Sequence, residues 1–86
     1  MKFILTKRFA SAYRALPDDL KRKTDKALRL LIENPKHPSL YMKKMQGAPG
    51  IWEMRVDKGC RLTLEIHPDV FVLRNVGKHD EALGSP

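Results

Sequence analysis

The chain changes period near its middle, and that change limits what it can fold into. Up to residue 34 the apolar side chains recur at helical spacing. From Tyr41 onward they alternate, and short turn sequences cut the alternation into segments. Phe3-Ile4-Leu5 reads as a short first strand. Thr6 follows, where a hydroxyl can accept from a free amide of a first helical turn. Phe9, Tyr13 and Leu16 then fall on one helical face, and Leu16-Pro17 breaks that helix. Pro17 suits the first position of a second helix, and Asp18 and Asp19 suit its positive end. Leu20, Thr24, Ala27, Leu28 and Leu31 line one side of this helix, with Lys21, Arg22, Lys23, Lys26 and Arg29 on its other faces. Asn34-Pro35 ends it.

After the turn-rich stretch Pro35 to Leu40, four strands are predicted: Tyr41–Met45, Ile51–Val56, Cys60–Ile66 and Val70–Val76. Gly47-Ala48-Pro49-Gly50, Asp57-Lys58-Gly59 and His67-Pro68-Asp69 are the turns between them. Gly77 to Pro86 reads as a short polar tail. The order is β-α-α-β-β-β-β in one domain over residues 1–86. Helices gathered at one end of a chain and strands at the other predict an α+β fold. Two N-terminal helices pack on one face of an antiparallel sheet.

Strand alternation then sorts the sheet residues by face. Trp52, Met54, Leu62, Leu64, Phe71 and Leu73 form the apolar face that the helices need. Glu53, Arg55, Arg61, Thr63, Glu65 and Arg74 fall on the opposite face, and alternation sends Val76 there too. Three arginines from three strands can converge on that face and grip phosphate through paired hydrogen bonds. Alternatively the face is solvated and its arginines pair with Glu53 and Glu65. Lys43 and Lys44 are adjacent, so at most one of them reaches the same face.

Charge sharpens the choice of partner class. Seventeen basic and ten acidic side chains give a formal net charge of +7 over 86 residues. Such a field favours nucleic acid, an anionic membrane or an acidic protein. No apolar run approaches the roughly 20 residues of a membrane span, and the apolar stretch near Met1 is too short for a signal-peptide core. A cytoplasmic location is therefore expected. Cys60 has no partner for an internal disulfide, and three dispersed histidines with one cysteine make no metal site. His37 and His67 sit beside prolines in turns, and Trp52 shares its face with core residues.

Four segments, taken in order, carry a resemblance. They are Tyr41-Met42-Lys43-Lys44-Met45-Gln46-Gly47, Gly50-Ile51-Trp52-Glu53-Met54-Arg55-Val56, Cys60-Arg61-Leu62-Thr63-Leu64-Glu65-Ile66, and the ending Leu73-Arg74-Asn75-Val76-Gly77-Lys78-His79-Asp80-Glu81. With the element order, they resemble the RelE/ParE superfamily of bacterial toxins over nearly the whole chain. The resemblance implies the toxin component of a toxin–antitoxin system. In the RelE branch this is a ribosome-dependent, metal-independent endoribonuclease. It cleaves mRNA in the ribosomal A site by 2′-OH attack on the adjacent phosphate, and needs no cofactor. In the ParE branch it is a non-enzymatic inhibitor of DNA gyrase. A catalytically inactive, antitoxin-binding homologue is the third alternative.

All three imply a cognate antitoxin, expected to be acidic and amphipathic because it must cover basic and apolar surface together. Carried over by position, the resemblance makes Arg61 the contact to the scissile phosphate. Arg74 and His79 are candidates for the acid, and His79 is preferred because histidine titrates near neutrality. Lys44 is the catalytic or RNA-positioning lysine. Lys43, Arg55 and Lys78 are further RNA contacts, and Glu53 is the base if it points into the same groove. The chain departs from the family in one respect. Asp80-Glu81-Ala82-Leu83-Gly84 holds no tyrosine where several RelE-like nucleases have one to stack on the substrate base.

Overall fold

The computed structural model describes residues 2–86. Strand β1 (Lys2–Leu5) leads through Thr6 into helix α1 (Lys7–Arg14), and helix α2 (Asp18–Glu33) follows. A single 3-10 turn (Pro38–Leu40) precedes β2 (Lys43–Lys44), β3 (Trp52–Asp57), β4 (Cys60–Ile66) and β5 (Val70–Lys78). A short helix, α3 (His79–Gly84), comes last. The five strands form one sheet in the order β1-β5-β4-β3-β2. The fold is α+β, as the change of period predicts.

Local chemistry explains the helices. The Thr6 hydroxyl accepts from the Phe9 amide at 3.1 Å, which caps α1. It also donates to the Leu73 carbonyl at 2.9 Å, tying the start of the helix to β5. Pro17 stands at the cap of α2, one position earlier than expected, and Asp18 and Asp19 occupy the first turn. The helices bury Phe9, Thr24, Ala27 and Leu31. Those residues meet Met54, Leu62, Leu64, Phe71, Leu73 and Leu40, all essentially sealed from solvent. Burying each such side chain contributes on the order of 2 kcal/mol, so this layer holds the sheet to the helices.

Three features differ from the sequence reading. First, the sheet is mixed rather than antiparallel: β1 pairs parallel with β5, Phe3 opposite Phe71 and Leu5 opposite Leu73. The two helices between β1 and the later strands supply the long crossover that a parallel pair requires. Second, the β4–β5 register slips between Thr63 and Leu64, because Thr63 faces Asn75 while Leu64 faces Leu73. Arg74 is the extra residue of this bulge. Beyond it the parity of β5 reverses, so Val76 lies opposite Leu62 and is buried in the core rather than on the polar face.

Third, the polar tail contains α3, which packs against β4 and β5. Leu62, Thr63 and Leu64 are all 0% exposed, so β4 is covered on both faces at this point. With α1 and α2 on the core side, the face that carries Thr63 is closed by α3, whose Ala82 is buried outside the main core. The Thr63 hydroxyl is left there without a hydrogen-bond partner.

Candidate functional site

With α3 over the β4–β5 half of the outer face, the β2–β3 half stays open as a groove of about 330 Å3. Tyr41, Met42, Lys43, Glu53, Arg55 and Arg61 line it. Register explains the grouping. Lys43 pairs with Glu53 across β2–β3, and Arg55 pairs with Arg61 across β3–β4. Tyr41 lies outside β2, at the end of the 3-10 turn, and reaches the groove from there.

The electrostatics of the groove are unbalanced. Lys43 Nζ lies 3.6 Å from a carboxylate oxygen of Glu53, which is only 8% exposed. Arg55 and Arg61 lie directly opposite one another, an arrangement of like charges that costs stability. Neither has a carboxylate within salt-bridge distance among the described residues. Arg61 spends one guanidinium nitrogen on the carbonyls of Asp57, Lys58 and Cys60, at 2.7, 3.2 and 3.1 Å, which pins it to the β3–β4 turn. The Arg55 guanidinium sits 4.1 Å from the centre of the Tyr41 ring, and its buried Nε has no partner. Two arginines held in place without counterions are a ready site for an anion.

Tyr41 itself is held in an unusual way. Its φ of 46° and ψ of 43° are left-handed, a conformation that costs a bulky residue on the order of 1–3 kcal/mol. Its amide donates to the Pro38 carbonyl at 3.1 Å, closing the 3-10 turn. The residue nevertheless remains 60% exposed.

The other sequence-derived candidates are distributed elsewhere. Lys44 pairs with Trp52, and its ammonium lies 5.5 Å from the centre of that ring, so it faces away from the groove. Of the two adjacent lysines, Lys43 is the one that enters. Arg74, the bulge residue, is engaged by Glu65 at 2.6 Å and by the Pro86 carbonyl at 3.0 Å. Lys78 pairs with the core residue Cys60 and shares its side of the sheet.

His79 opens α3, and its amide donates to the Gly59 carbonyl at 3.0 Å. Its ring lies 3.2 Å from the Asp80 carboxylate and helps line a separate hollow with Leu20, Asp57 and Cys60. Burial pushes the Cys60 thiol up to about 11, which keeps it protonated and inert. Among the described residues no cluster of histidine, cysteine and acidic side chains could hold a metal ion, and no helix is long and apolar enough to cross a membrane.

The arrangement therefore brings together Glu53, Arg55, Arg61 and Lys43, and leaves out Lys44, Arg74, Lys78 and His79. Tyr41 was missed as a site residue. Alternation could not have found it, because its left-handed backbone lies outside β2.

Known structures share this architecture. The chain superimposes on YafQ from Escherichia coli with a TM-score of 0.79 at 14% identity, covering 92% of this chain and 93% of that one. A YoeB/ParE toxin from Agrobacterium tumefaciens gives 0.76 at 15% identity, over 92% and 99% of the two chains. The RelB–RelE antitoxin–toxin complex from Methanococcus jannaschii gives 0.69 at 16% identity, over 91% and 92%. No family model and no curated protein sequence matches the chain. At these identities the likeness is one of fold, and the fold is that of the RelE/ParE toxins.

Proposed function

We propose that the protein is the toxin of a toxin–antitoxin pair and acts as a metal-independent endoribonuclease on mRNA in the ribosomal A site. The observation that carries this reading is the pair Arg55 and Arg61, opposed on neighbouring strands without counterions beside the carboxylate of Glu53. In this reading Glu53 takes the proton from the ribose 2′-OH, and the freed oxygen attacks the adjacent phosphorus. Arg55 and Arg61 carry the charge of the phosphorane. The bond to the 5′-oxygen breaks, and Lys43, beside Glu53, gives that oxygen its proton. The products are a 2′,3′-cyclic phosphate and a 5′-hydroxyl. His79 is not needed for this cycle, because it lines a different hollow. An acidic antitoxin is the expected partner. Neighbouring toxins of this fold were solved with theirs, as in the DinJ–YafQ and RelB–RelE complexes.

Induction in cells with primer-extension mapping of messages tests the reading. The wild type should arrest translation and leave defined cuts. Arg55→Ala should lose on the order of a hundredfold in cleavage, comparable with removal of one preorganised transition-state donor. Intact messages with normal growth on induction reject the reading.

A second reading is favoured by the burial of Glu53, which is 8% exposed and paired with Lys43: a toxin that inhibits gyrase by binding alone needs no free carboxylate. A supercoiling assay separates the two: inhibition with intact messages selects the gyrase reading.

A further inference from the structure

We propose that Tyr41 is the nucleobase platform of the groove: one unstacked base of a single-stranded RNA lies on its ring while the neighbouring phosphate sits on Arg55 and Arg61. The inference rests on the RNA-binding part of the reading above and names how the strand is held. The aromatic absent from the segment after β5 is supplied from the other end of the site, at the entrance to β2.

Three independent features converge on Tyr41. Its ring stands in the same groove as the two unpaired arginines, so a base on the ring and a phosphate on the guanidinium groups belong to one nucleotide. Tyr41 is 60% exposed, whereas Phe9 and Phe71 are 1% exposed. Tyr41 therefore contributes little to the core. Its backbone is left-handed, where glycine or asparagine is easier to accommodate. A tyrosine at a glycine-like position carries a backbone cost that burial in the core does not offset. The Arg55 guanidinium, 4.1 Å from the ring centre, adds a second layer. Stacked tiers of arginine and aromatic ring are a general way to hold single-stranded nucleic acid, because every base offers a π-face. The ligand class follows from the open, positively charged groove: RNA recognition by small domains rests mainly on splayed bases stacked on aromatic or guanidinium planes.

The left-handed backbone also supplies a clean variant. Tyr41→Gly removes the ring and suits the backbone, so folding should be retained or improved. The test is fluorescence anisotropy with a short 2′-O-methyl RNA, which cannot be cleaved, and with a sugar–phosphate strand of the same length lacking bases. The wild type should bind the base-bearing strand about tenfold more tightly, in keeping with the worth of one stacked base. Tyr41→Phe should keep that difference, and Tyr41→Gly should abolish it without weakening the base-free strand. Equal binding of both strands by the wild type, or a difference that survives in Tyr41→Gly, overturns the proposal. Tighter binding of single-stranded DNA of the same sequence overturns RNA as the ligand.

The platform and the nuclease reading can fail separately. A base-dependent difference lost in Tyr41→Gly, with messages intact in cells, leaves the platform standing and removes the nuclease. Messages cut at the same sites and rates by wild type and Tyr41→Gly remove the platform and leave the nuclease.

Discussion

Glu65 shows how single residues divide the polar face between structure and chemistry. It is bonded to His67 at 2.9 Å and to Arg74 at 2.6 Å. The His67 bond first, and the Arg74 bond second, hold its carboxyl below the ordinary value of 4.5. A carboxyl lowered in the folded state contributes stability that is present above its unfolded value and lost as pH falls through its folded one. In thermal unfolding, the stability advantage of wild type over Glu65→Gln should therefore be present above pH 4.5 and fade as pH falls below it. A difference that is independent of pH through that range would mean that the carboxylate is not what Arg74 and His67 hold. Alternation alone put Arg55, Arg61 and Arg74 on one face, and two readings were open: a phosphate grip or solvated ion pairs. Both are realised. Arg74 takes the ion pair, while Arg55 and Arg61 are left without a carboxylate. The sequence could not assign the roles, since that depends on which acid lies across the strand, and register is a tertiary fact.

At the scale of elements, Thr6 joins α1 to β5. It caps α1 through the Phe9 amide, and its hydroxyl lies 2.9 Å from the Leu73 carbonyl and 3.2 Å from that of Arg74. Leu73 and Arg74 are where β1 stops pairing with β5 and the bulge begins. Thr6→Ala removes a cap while the Leu73 carbonyl keeps the Thr6 amide as a donor, so it should cost about 1 kcal/mol. Denaturant unfolding checks this; a loss within a few tenths of a kcal/mol would show that water replaces the hydroxyl fully.

The cap was legible from Thr6 and the spacing of Phe9 and Tyr13 alone. The bulge was not, because alternation assumes an unbroken register and one extra residue at Arg74 returned Val76 to the core. The parallel partner of β1 was equally hidden, since a short apolar run has the same pattern whichever way its neighbour runs. Helix α3 was missed because only Ala82 of its six residues is buried, too little for a periodic signal. That omission had a consequence for the site. It left the whole outer face open on paper, when α3 closes the half over Thr63 and confines the groove to β2, β3 and the start of β4.

For the molecule as a whole, the question is whether its charge acts as a diffuse field or as a localised grip. The net charge of +7 includes many lysines and arginines on the helices, such as Arg29 on the exposed side of α2. Only Lys43, Arg55 and Arg61 line the groove as cations. Binding to a single strand releases about 0.7 counterion for each phosphate neutralised, so three contacts give a slope near −2 for log affinity against log salt. A diffuse field gives no such discrete value, and it weakens by a similar amount whichever cation is removed. Two substitutions separate these cases. Arg55→Ala should make the slope shallower by about 0.7. Arg29→Ala, with the same change in net charge, should leave the slope unchanged. Anisotropy titrations of an uncleavable RNA over a range of salt concentrations measure both. Equal changes for the two variants would mean that the groove is only part of a basic surface, and the opposed arginines would lose their claim to be a site. A change confined to Arg55→Ala makes the groove the place where the strand lies. The mixed sheet then has a clear division of labour: α1 and α2 hold one face, α3 closes part of the other, and the groove is the part left open to an anion.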